Sequence, residues 1–365
     1  MTAIPRWADV ILVPLLSLLL AFLLSGLVVL WIGENPLTAL FIIVKGSVGS
    51  PYGWGYTLYY TTNFVFTGLA VAVAFHAKMF NIGGEGQATL GGLGAALVCL
   101  AVEWPHWLLA FPAAVIAAAL FGAAWAAVPA YLQARRGSHI VITTIMFNFI
   151  AFALLVYLLV HVMKPPGQMA PESRPFPPGA HLPTAHEMLA WIGIPFSKSP
   201  PLNVSFLLAL VACVLVWLLI WRTRLGYEIR AFGHSETAAV YAGISPVRII
   251  MLSMLISGGL AGLMAVNTVA GEAERLLIDS VQGAGFVGIA VALMGRSHPI
   301  GVLCAAFLFG ILYQGGAELE FEMPAVNREM IVVIQALVIL FAGALDNMVR
   351  LPVERLFAMV RREAS

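Results

Sequence analysis

The sequence predicts an all-α integral membrane protein with about ten transmembrane helices. Hydrophobic residues make up 61% of the 365 residues, only 10% are charged, and the apolar residues fall in long runs. Soluble proteins carry roughly a quarter charged residues, and a membrane-spanning helix needs about 20 apolar residues. The composition therefore excludes a soluble enzyme and a disordered chain, and the spans leave no length for a separate soluble catalytic domain.

Ten apolar runs are the predicted spans. The first is longer than the apolar core of a signal peptide, about 7–15 residues, so we interpret it as a helix that stays in the protein. The runs 281–294 and 300–312 are short for a full span, which favours tilted, broken or re-entrant helices. The ten runs are 10–32, 57–75, 88–102, 107–132, 141–160, 204–221, 249–270, 281–294, 300–312 and 331–345.

The charges predict the orientation of these spans. With both termini in the cytoplasm, the inner segments hold thirteen of the 19 Lys and Arg residues but only seven of the 18 Asp and Glu residues. An excess of Lys and Arg on the cytoplasmic side is the usual sorting rule for membrane proteins. The net charge of +1 creates no field that attracts nucleic acid, so we expect no nucleic-acid partner.

The spans and loops lack enzyme motifs. The sequence contains no P-loop, its three cysteines are isolated in apolar runs, and neither a catalytic cluster nor a metal site is expected. The glycines over 258–262 and 283–288 lie in apolar runs, so we expect them to serve close helix packing. Asn203-Val-Ser205 fits the glycosylation pattern, which is common by chance. The outer loop 162–203 holds ten of the 21 prolines and is expected to be extended or irregular, either a connector or a docking surface.

Residues 75–94 form the first informative segment. They contain six glycines together with Asn81, Glu85 and Gln87, between two apolar runs. Buried amides need hydrogen-bond partners, and glycine permits close helix approach. Two interpretations stay open: a tight cytoplasmic turn with Glu85 in water, or a helix break beside a solute path.

Residues 222–246 form the second informative segment, the longest internal cytoplasmic loop. Ser235 fits an N-cap, Glu236 suits the first turn, and Gly243 suits the position after the last turn. The pattern predicts a short helix across the inner face. It is either an inert amphipathic helix or a lever that docks into a partner supplying force.

Residues 80–87 (Phe-Asn-Ile-Gly-Gly-Glu-Gly-Gln) resemble the hallmark of the permease subunits of bacterial ABC importers in the branched-chain amino acid, ribose and nucleoside group. Residues 225–244 resemble the ATPase-coupling loop of that family, although His234 stands where asparagine is more usual. The stretch 288–301 is similar to the nucleoside and simple-sugar branch, and 46–50 and 67–70 fit that branch as well. The resemblance covers about residues 35–345.

The resemblance implies a single transmembrane permease domain over 1–365, with an inverted repeat of helices 2–5 and 7–10. It implies an ABC ATPase subunit that uses ATP, a second permease subunit, often a different one, and an extracytoplasmic solute-binding lipoprotein. This chain would bind no cofactor and would be a multi-pass protein of the bacterial inner membrane. It would translocate a small polar solute, a nucleoside or alternatively a ribose-like sugar, by alternating access.

Two sets of residues are candidates for these roles. The pathway set offers amides, hydroxyls and aromatic faces: Asn63, Phe64, Thr67, Asn81, Glu85, Gln87, Thr144, Phe147, Asn148 and Asn267. For Asn148 and Asn267 the alternative is an amide that bridges two helices. The coupling set is Arg230, Gly233, His234, Ser235, Glu236, Ala238, Ala239 and Gly243. A secondary carrier and a passive channel stay open; almost no charge lies in the spans, which disfavours ion coupling.

Overall fold

The computed structural model describes residue 5 and residues 12–341 and 350–355. Within these residues the chain is helical and has one isolated β-bridge, between Thr184 and Asn203, which confirms the all-α fold class. The α-helices in chain order are α1 (Val13–Ile32), α2 (Pro36–Val48), α3 (Pro51–His76), α4 (Gly84–Ala101), α5 (Trp107–Arg136), α6 (Ile140–Leu158), α7 (Ala185–Ala190), α8 (Ser205–Arg222), α9 (Arg224–His234), α10 (Glu236–Tyr241), α11 (Pro246–Ala265), α12 (Ala284–Met294), α13 (Pro299–Glu322) and α14 (Arg328–Ile339).

Seven of the described helices are long and apolar enough to cross a membrane. They are α1, α3, α5, α6 with a π-helical turn at Leu159–Met163, α8, α11 with a π-helical turn at Val266–Ala273, and α13. The apolar helices α2, α12 and α14 are shorter. A helix overlaps every predicted apolar run, while residues 10, 11 and 342–345 of those runs lie outside the described residues. That all ten apolar runs cross the membrane stays a prediction.

One span boundary is wrong, and two helices were not predicted. The run 300–312 is only the first half of α13, which has 24 residues. Helix α2 was not expected; Asn35 caps it by accepting hydrogen bonds from the backbone N–H groups of Leu37 and Thr38, and Pro36 occupies its first position. Helix α9 lies where only loop was expected before residue 235, and the Thr223 side chain caps it by accepting from the Gly226 N–H group at 3.0 Å.

The outer loop 162–203 is not wholly irregular. It contains the short helix α7, which a capping box starts: Thr184 and Glu187 each accept a hydrogen bond from the backbone N–H group of the other. Hydrogen bonds also attach the loop to the residues that follow α11. Phe176 N–H donates to the Glu274 carbonyl at 2.8 Å, and Leu276 N–H donates to the Ser173 hydroxyl at 2.9 Å.

The described residues divide into two compact units. The first unit comprises the described residues within 1–50 and 311–365. Its core packs α1 and α2 against the second half of α13 and against α14, with Val29, Ile43 and Leu319 among its buried side chains. Gly46 of α2 lies directly against the Glu318 side chain, so a side chain at position 46 would have no room.

The second unit, residues 51–310, is built around α3, α4 and α11. Every residue from 61 to 74 of α3 is buried, and glycines let α11 approach its neighbours closely. Gly122 of α5 and Gly91 of α4 both lie against Gly262, and Gly258 lies against Gly122. The structure confirms the prediction that the glycines over 258–262 serve helix packing. Helices α5, α6 and α8 surround this centre with many exposed apolar side chains.

Candidate functional site

Asn81 is the centre of a buried amide network before α4. It is 1% exposed, and its Nδ2 donates to Gln87 Oε1 at 2.9 Å and to Ser257 Oγ at 2.8 Å. Its Oδ1 accepts from the Gly83 N–H group at 2.9 Å and from Gln87 Nε2 at 3.1 Å. Every hydrogen-bonding position of the Asn81 amide is thus used, as a polar group away from water requires. The network joins the 81–87 segment to α11.

Asn148 attaches α6 to the same segment. Its Oδ1 accepts from the Gly86 N–H group at 2.9 Å, and its Nδ2 donates to the Ile82 carbonyl at 2.9 Å. One turn earlier, Thr144 is buried beside Gly83, and its hydroxyl donates to the Ile140 carbonyl of its own helix. Asn148 therefore occupies a bridging position between two segments, and Thr144 fills space next to it.

Glu85 is not a solvated turn residue. Its carboxylate oxygens accept from the Gly283 N–H group at 2.8 Å and from the Gly285 N–H group at 2.9 Å. These two groups begin α12, so a carboxylate from the first turn of α4 caps the N-terminus of another helix. The approach is so close that a side chain at Gly285 would overlap the backbone of Glu85. This geometry overturns the interpretation of Glu85 as a group in water.

A second amide network lies between α3, the π-helical end of α11 and the start of α8. Asn267 Nδ2 donates to Asn63 Oδ1 at 2.8 Å and to the Tyr59 carbonyl at 3.2 Å. Asn203 Nδ2 donates to Asn267 Oδ1 at 2.9 Å, and Asn203 itself is 1% exposed. The Tyr59 hydroxyl donates to the carboxylate of Glu272 beside this network.

Asn203 is the residue that sequence reasoning missed. It was noted only for a glycosylation pattern, which its burial contradicts. The available signal was its place just before α8: an asparagine side chain accepts readily from the backbone N–H group two residues later, and the Ser205 N–H group does donate to Asn203 Oδ1 at 3.0 Å.

The remaining pathway candidates make packing contacts. Phe64 stacks edge-on with Phe309 at a centroid distance of 6.2 Å. The Thr67 hydroxyl donates to the Asn63 carbonyl, and Gly288 of α12 lies against its side chain. Phe147 faces α5, where the Trp125 indole N–H donates to its carbonyl. The structure thus gathers Asn81, Glu85, Gln87, Thr144 and Asn148 in one place and Asn63 and Asn267 in a second. The Phe147 ring packs on Trp125 of α5 instead.

The coupling candidates lie on α9 and α10. Ser235 caps α10 by accepting from the Ala238 N–H group at 3.3 Å, and Gly243 has a positive φ of 80° just after the helix. Both features confirm the predicted short helix. Ala239 is buried, whereas Ser235, Glu236 and Ala238 are exposed.

The two helices differ in how they pack. Helix α9 is held in the second unit by Ile229, Phe232 and Gly233, and a side chain at Gly233 would overlap the His76 carbonyl. Helix α10 instead exposes Val240 (51% exposed) and Tyr241 (89%). Arg230 is half-buried, and within the described residues its Nε has no hydrogen-bond partner. Its carbonyl accepts from His234 Nδ1 at 2.7 Å.

An ionic cluster lies in the outer loop. Both ring nitrogens of His181 face carboxylates: Nδ1 contacts Glu274, and Nε2 contacts both oxygens of Glu187 at 3.2 Å. Burial alone lowers the pKa of His181, but the hydrogen bonds and charges of Glu274 and Glu187 outweigh it and raise the pKa above its usual value. Next to it, Arg275 pairs with Glu172 at 3.0 Å.

Comparison with known proteins assigns this chain to a transport family. The family described as "Branched-chain amino acid transport system / permease component" matches residues 54–343. The guanosine ABC transporter permease NupP of Bacillus subtilis is 34% identical over 92% of this chain and 93% of its own length. The glucose ABC transporter permease TsgB13 of Haloferax volcanii is 33% identical over 90% and 86%, and the nucleoside ABC transporter permease NupB of Lactococcus lactis is 32% identical over 91% and 90%. No solved structure matches the chain.

Proposed function

Because this chain belongs to the family of permease components of branched-chain amino acid transport systems, we propose that it is the transmembrane subunit of an ATP-driven importer and that its solute is a nucleoside. It is an ABC transporter permease and a multi-pass membrane protein, a transport component with several long apolar helices. The observation that carries the nucleoside assignment is its similarity to two permeases named for guanosine and nucleosides along about nine-tenths of the chain.

The interior chemistry of the second unit supports a neutral polar solute. The buried polar side chains of the two networks are amides and hydroxyls, with Phe64 and Phe309 nearby. Such groups suit a flat base joined to a polyhydroxyl sugar. A simple sugar is the second candidate, because a glucose permease is similar to the chain over nearly the same length. An ion-coupled carrier is the third, disfavoured by the scarcity of charge in the spans.

In our proposal the solute moves by alternating access past the two amide networks. The packing of the second unit supports the inverted repeat on which this rests. Helix α11 packs on α4 at Gly262 and Gly91, and α3 packs correspondingly on α12 at Thr67 and Gly288. The first turns of α4 and α12 meet at Glu85. Because the pathway candidates are buried or half-buried in this arrangement, opening a route requires these helices to separate, or a second permease subunit to complete the route.

The segment 222–248 is the proposed coupling element. Helix α9 is anchored in the unit, while α10 presents exposed Val240 and Tyr241, an apolar face suited to a groove on an ATPase subunit. ATP would be used by that separate chain. A second, different permease subunit and an extracytoplasmic solute-binding lipoprotein complete the proposed importer. Ten crossings, both termini in the cytoplasm and a bacterial inner-membrane location complete the topology we propose.

Reconstitution tests the function. The chain, its partner permease, the ATPase and the binding protein are placed in liposomes with ATP, and uptake of labelled guanosine and labelled glucose is measured. We expect ATP-dependent uptake of guanosine that excess unlabelled glucose leaves unchanged. Uptake of glucose alone would replace the nucleoside by a sugar. Uphill accumulation by liposomes that contain only this chain would overturn the ATP-driven mechanism.

A proline in α10 tests the coupling assignment. Ala239→Pro removes the N–H group that donates to the Ser235 carbonyl at 3.0 Å and breaks a six-residue helix, at a cost of about 3 kcal/mol to the helix. We expect transport to fall at least about tenfold while the permease still inserts, because the helix is short and superficial. Thr237→Ala, at an exposed position of the same helix, is the matched control. Undiminished ATPase association and transport in Ala239→Pro would make the assignment wrong.

A further inference from the structure

One face of α3 carries a row of aromatic and polar side chains that begins near the start of the helix. The members of this row recur at intervals of three or four positions: Tyr52, Tyr56, Tyr59, Asn63 and Thr67. Residues at this spacing share one side of a helix. Tyr52 is 40% exposed, Tyr56 is half-buried, and Tyr59 is 5% exposed. The charge distribution predicts that the exposed end faces the outside of the cell, so the row leads from the outer surface into the protein.

Glu272 lies beside this row, at the outer end of the span that α11 forms with its π-helical turn. Its exposed carboxylate accepts from the Tyr59 hydroxyl and is close enough to Tyr56 to interact with it electrostatically. Within the part of the chain that the structure describes, no cation pairs with Glu272, whereas Glu274 contacts His181 two positions later. Ionisable residues in membrane spans are rare, and they mostly pair with one another or serve a solute path. A carboxylate can accept about four hydrogen bonds, so Glu272 can take further donors.

Tyr59 connects this carboxylate to the second amide network. Its hydroxyl donates to Glu272, and its backbone carbonyl accepts from Asn267 Nδ2 at 3.2 Å. Asn267 also donates to Asn63 Oδ1 at 2.8 Å, one helical turn further along α3. A charged acceptor at the outer end is thus followed directly by neutral amides in the interior. A solute that leaves the carboxylate and moves inward would meet these amides next.

We propose that Glu272, Tyr52 and Tyr56 form the outer entry site for the solute and that the carboxylate receives the base of a guanine nucleoside. This inference rests on the import of nucleosides argued above. A guanine base has two neighbouring N–H donors on one edge, and each can donate to one oxygen of a carboxylate, as in a bidentate pair with arginine. The two tyrosine rings, with centroids 5.0 Å apart, offer apolar faces to a flat base, and the Tyr56 hydroxyl is held by the Ser199 carbonyl at 3.3 Å. Glucose and ribose have no flat ring to stack, so the arrangement favours a nucleoside over a sugar.

Binding is measured on the full chain in nanodiscs by saturation-transfer NMR, with guanosine, ribose and methylguanine (a methyl group in place of the sugar) as probes. We expect guanosine and methylguanine to bind and ribose not to bind. Glu272→Gln keeps an acceptor for the Tyr59 hydroxyl but replaces one carboxylate oxygen by a donor, so it should weaken the binding of both guanine compounds about tenfold. Glu103→Gln removes an exposed carboxylate just after α4 and is the matched control, which should bind like the wild type.

Two variants of the exposed Tyr52 test the same site with little risk to folding. Tyr52→Ala removes an aromatic face and should weaken the binding of methylguanine about threefold, whereas Tyr52→Phe keeps the ring and should bind like the wild type. The inference is wrong if the wild type binds neither guanine compound, or if Glu272→Gln and Tyr52→Ala both bind them as the wild type does. Binding of ribose without binding of methylguanine would overturn the assignment of the carboxylate to the base and give it to sugar hydroxyls.

Uptake by the reconstituted importer separates this inference from the proposed function. At limiting guanosine, Glu272→Gln should lower ATP-dependent uptake about tenfold, and Glu103→Gln should not lower it. Uptake that Glu272→Gln leaves unchanged would overturn the entry site while nucleoside import stands. If the wild type binds methylguanine through Glu272 but the importer takes up no guanosine, the entry site is supported and the proposed solute is wrong.

Discussion

Two polar regions of the second unit join neighbouring segments with different chemistry. The interior networks around Asn81 and Asn267 use neutral amides, each with several hydrogen bonds of 2.8–3.2 Å. The outer cluster around His181 uses full charges that are about two-fifths exposed. Inside a low-dielectric core a neutral group costs far less to bury than a charge, whereas water screens charges in the outer loop. The comparison predicts that substitutions in the interior networks lower the free energy of unfolding strongly and at any pH. Substitutions in the outer cluster should lower it slightly and in a pH-dependent way.

The largest effect is expected from Asn81→Leu. The substitution removes four hydrogen bonds and leaves the Gly83 N–H group and the Gln87 amide buried without these partners. Unsatisfied buried groups cost about 1–3 kcal/mol each, so we expect the free energy of unfolding to fall by about 2–4 kcal/mol. The thermal unfolding midpoint in nanodiscs measures this.

The control for Asn81 is Asn35→Ala, which removes an exposed asparagine that caps α2 and should cost about 1 kcal/mol. If Asn81→Leu does not assemble, Asn81→Asp is used: it keeps the acceptor for the Gly83 N–H group and loses the donors to Gln87 and Ser257. Equal losses for Asn35→Ala and Asn81→Leu would show that the interior network contributes no more than a surface cap.

The sequence predicts where the helices lie better than it predicts which residues contact one another. Length and hydropathy locate a helix at every apolar run, and cap chemistry places α10 from Ser235 to Gly243. Helix α9 was missed because its buried side is short and interrupted by charged residues, so a search for long apolar runs passes over it. Helix α2 was missed although Asn35 and Pro36 are a typical helix start.

The site is harder to predict because its contacts are distant in sequence. Asn81 and Ser257 are 176 positions apart, and Glu85 and Gly283 are 198 apart. Hydropathy shows that a polar residue lies in an apolar surrounding and needs a partner, but it does not show which partner. The sequence therefore identifies Asn81, Asn148 and Asn267 as unusual residues but does not show that Asn203 is the hydrogen-bond partner of Asn267.

An intermediate effect is expected from Glu85→Gln, which tests the only interior candidate with a carboxyl group. Its carboxylate accepts from two N–H groups of α12, and an amide offers a single oxygen. Losing one hydrogen bond and the favourable helix-end interaction should lower the free energy of unfolding by about 1–2 kcal/mol. Glu329→Gln, at an exposed position in the first turn of α14, should cost less than half as much. A larger loss from Glu329→Gln would contradict the role of Glu85 as a cap.

The smallest effect is expected from His181→Gln, and it should depend on pH. The pKa of His181 is raised by Glu274 and Glu187 in the folded protein, so its protonated form is stabilised by folding. This contribution is fully present below the unfolded pKa, about 6.5, and is lost as the pH rises through the higher folded pKa. The wild type should therefore have a higher unfolding midpoint than His181→Gln at pH 5.5. The difference in the free energy of unfolding should be less than about 1 kcal/mol, and it should shrink above neutral pH.

His186→Gln is the control for the ring, because His186 lies in the same loop and donates from Nδ1 to the Phe196 carbonyl. No ion pair of His186 is found among the described residues. A change that both variants share reports on the loop, and a change peculiar to His181→Gln reports on the contacts of His181 with Glu187 and Glu274. Added salt should reduce the His181 difference at low pH and leave the loss in Asn81→Leu unchanged, because salt screens exposed charges and not neutral amides. A pH-independent loss in His181→Gln would mean that the imidazole serves the outer loop by packing, and the contrast between the two regions would then rest on burial and not on charge.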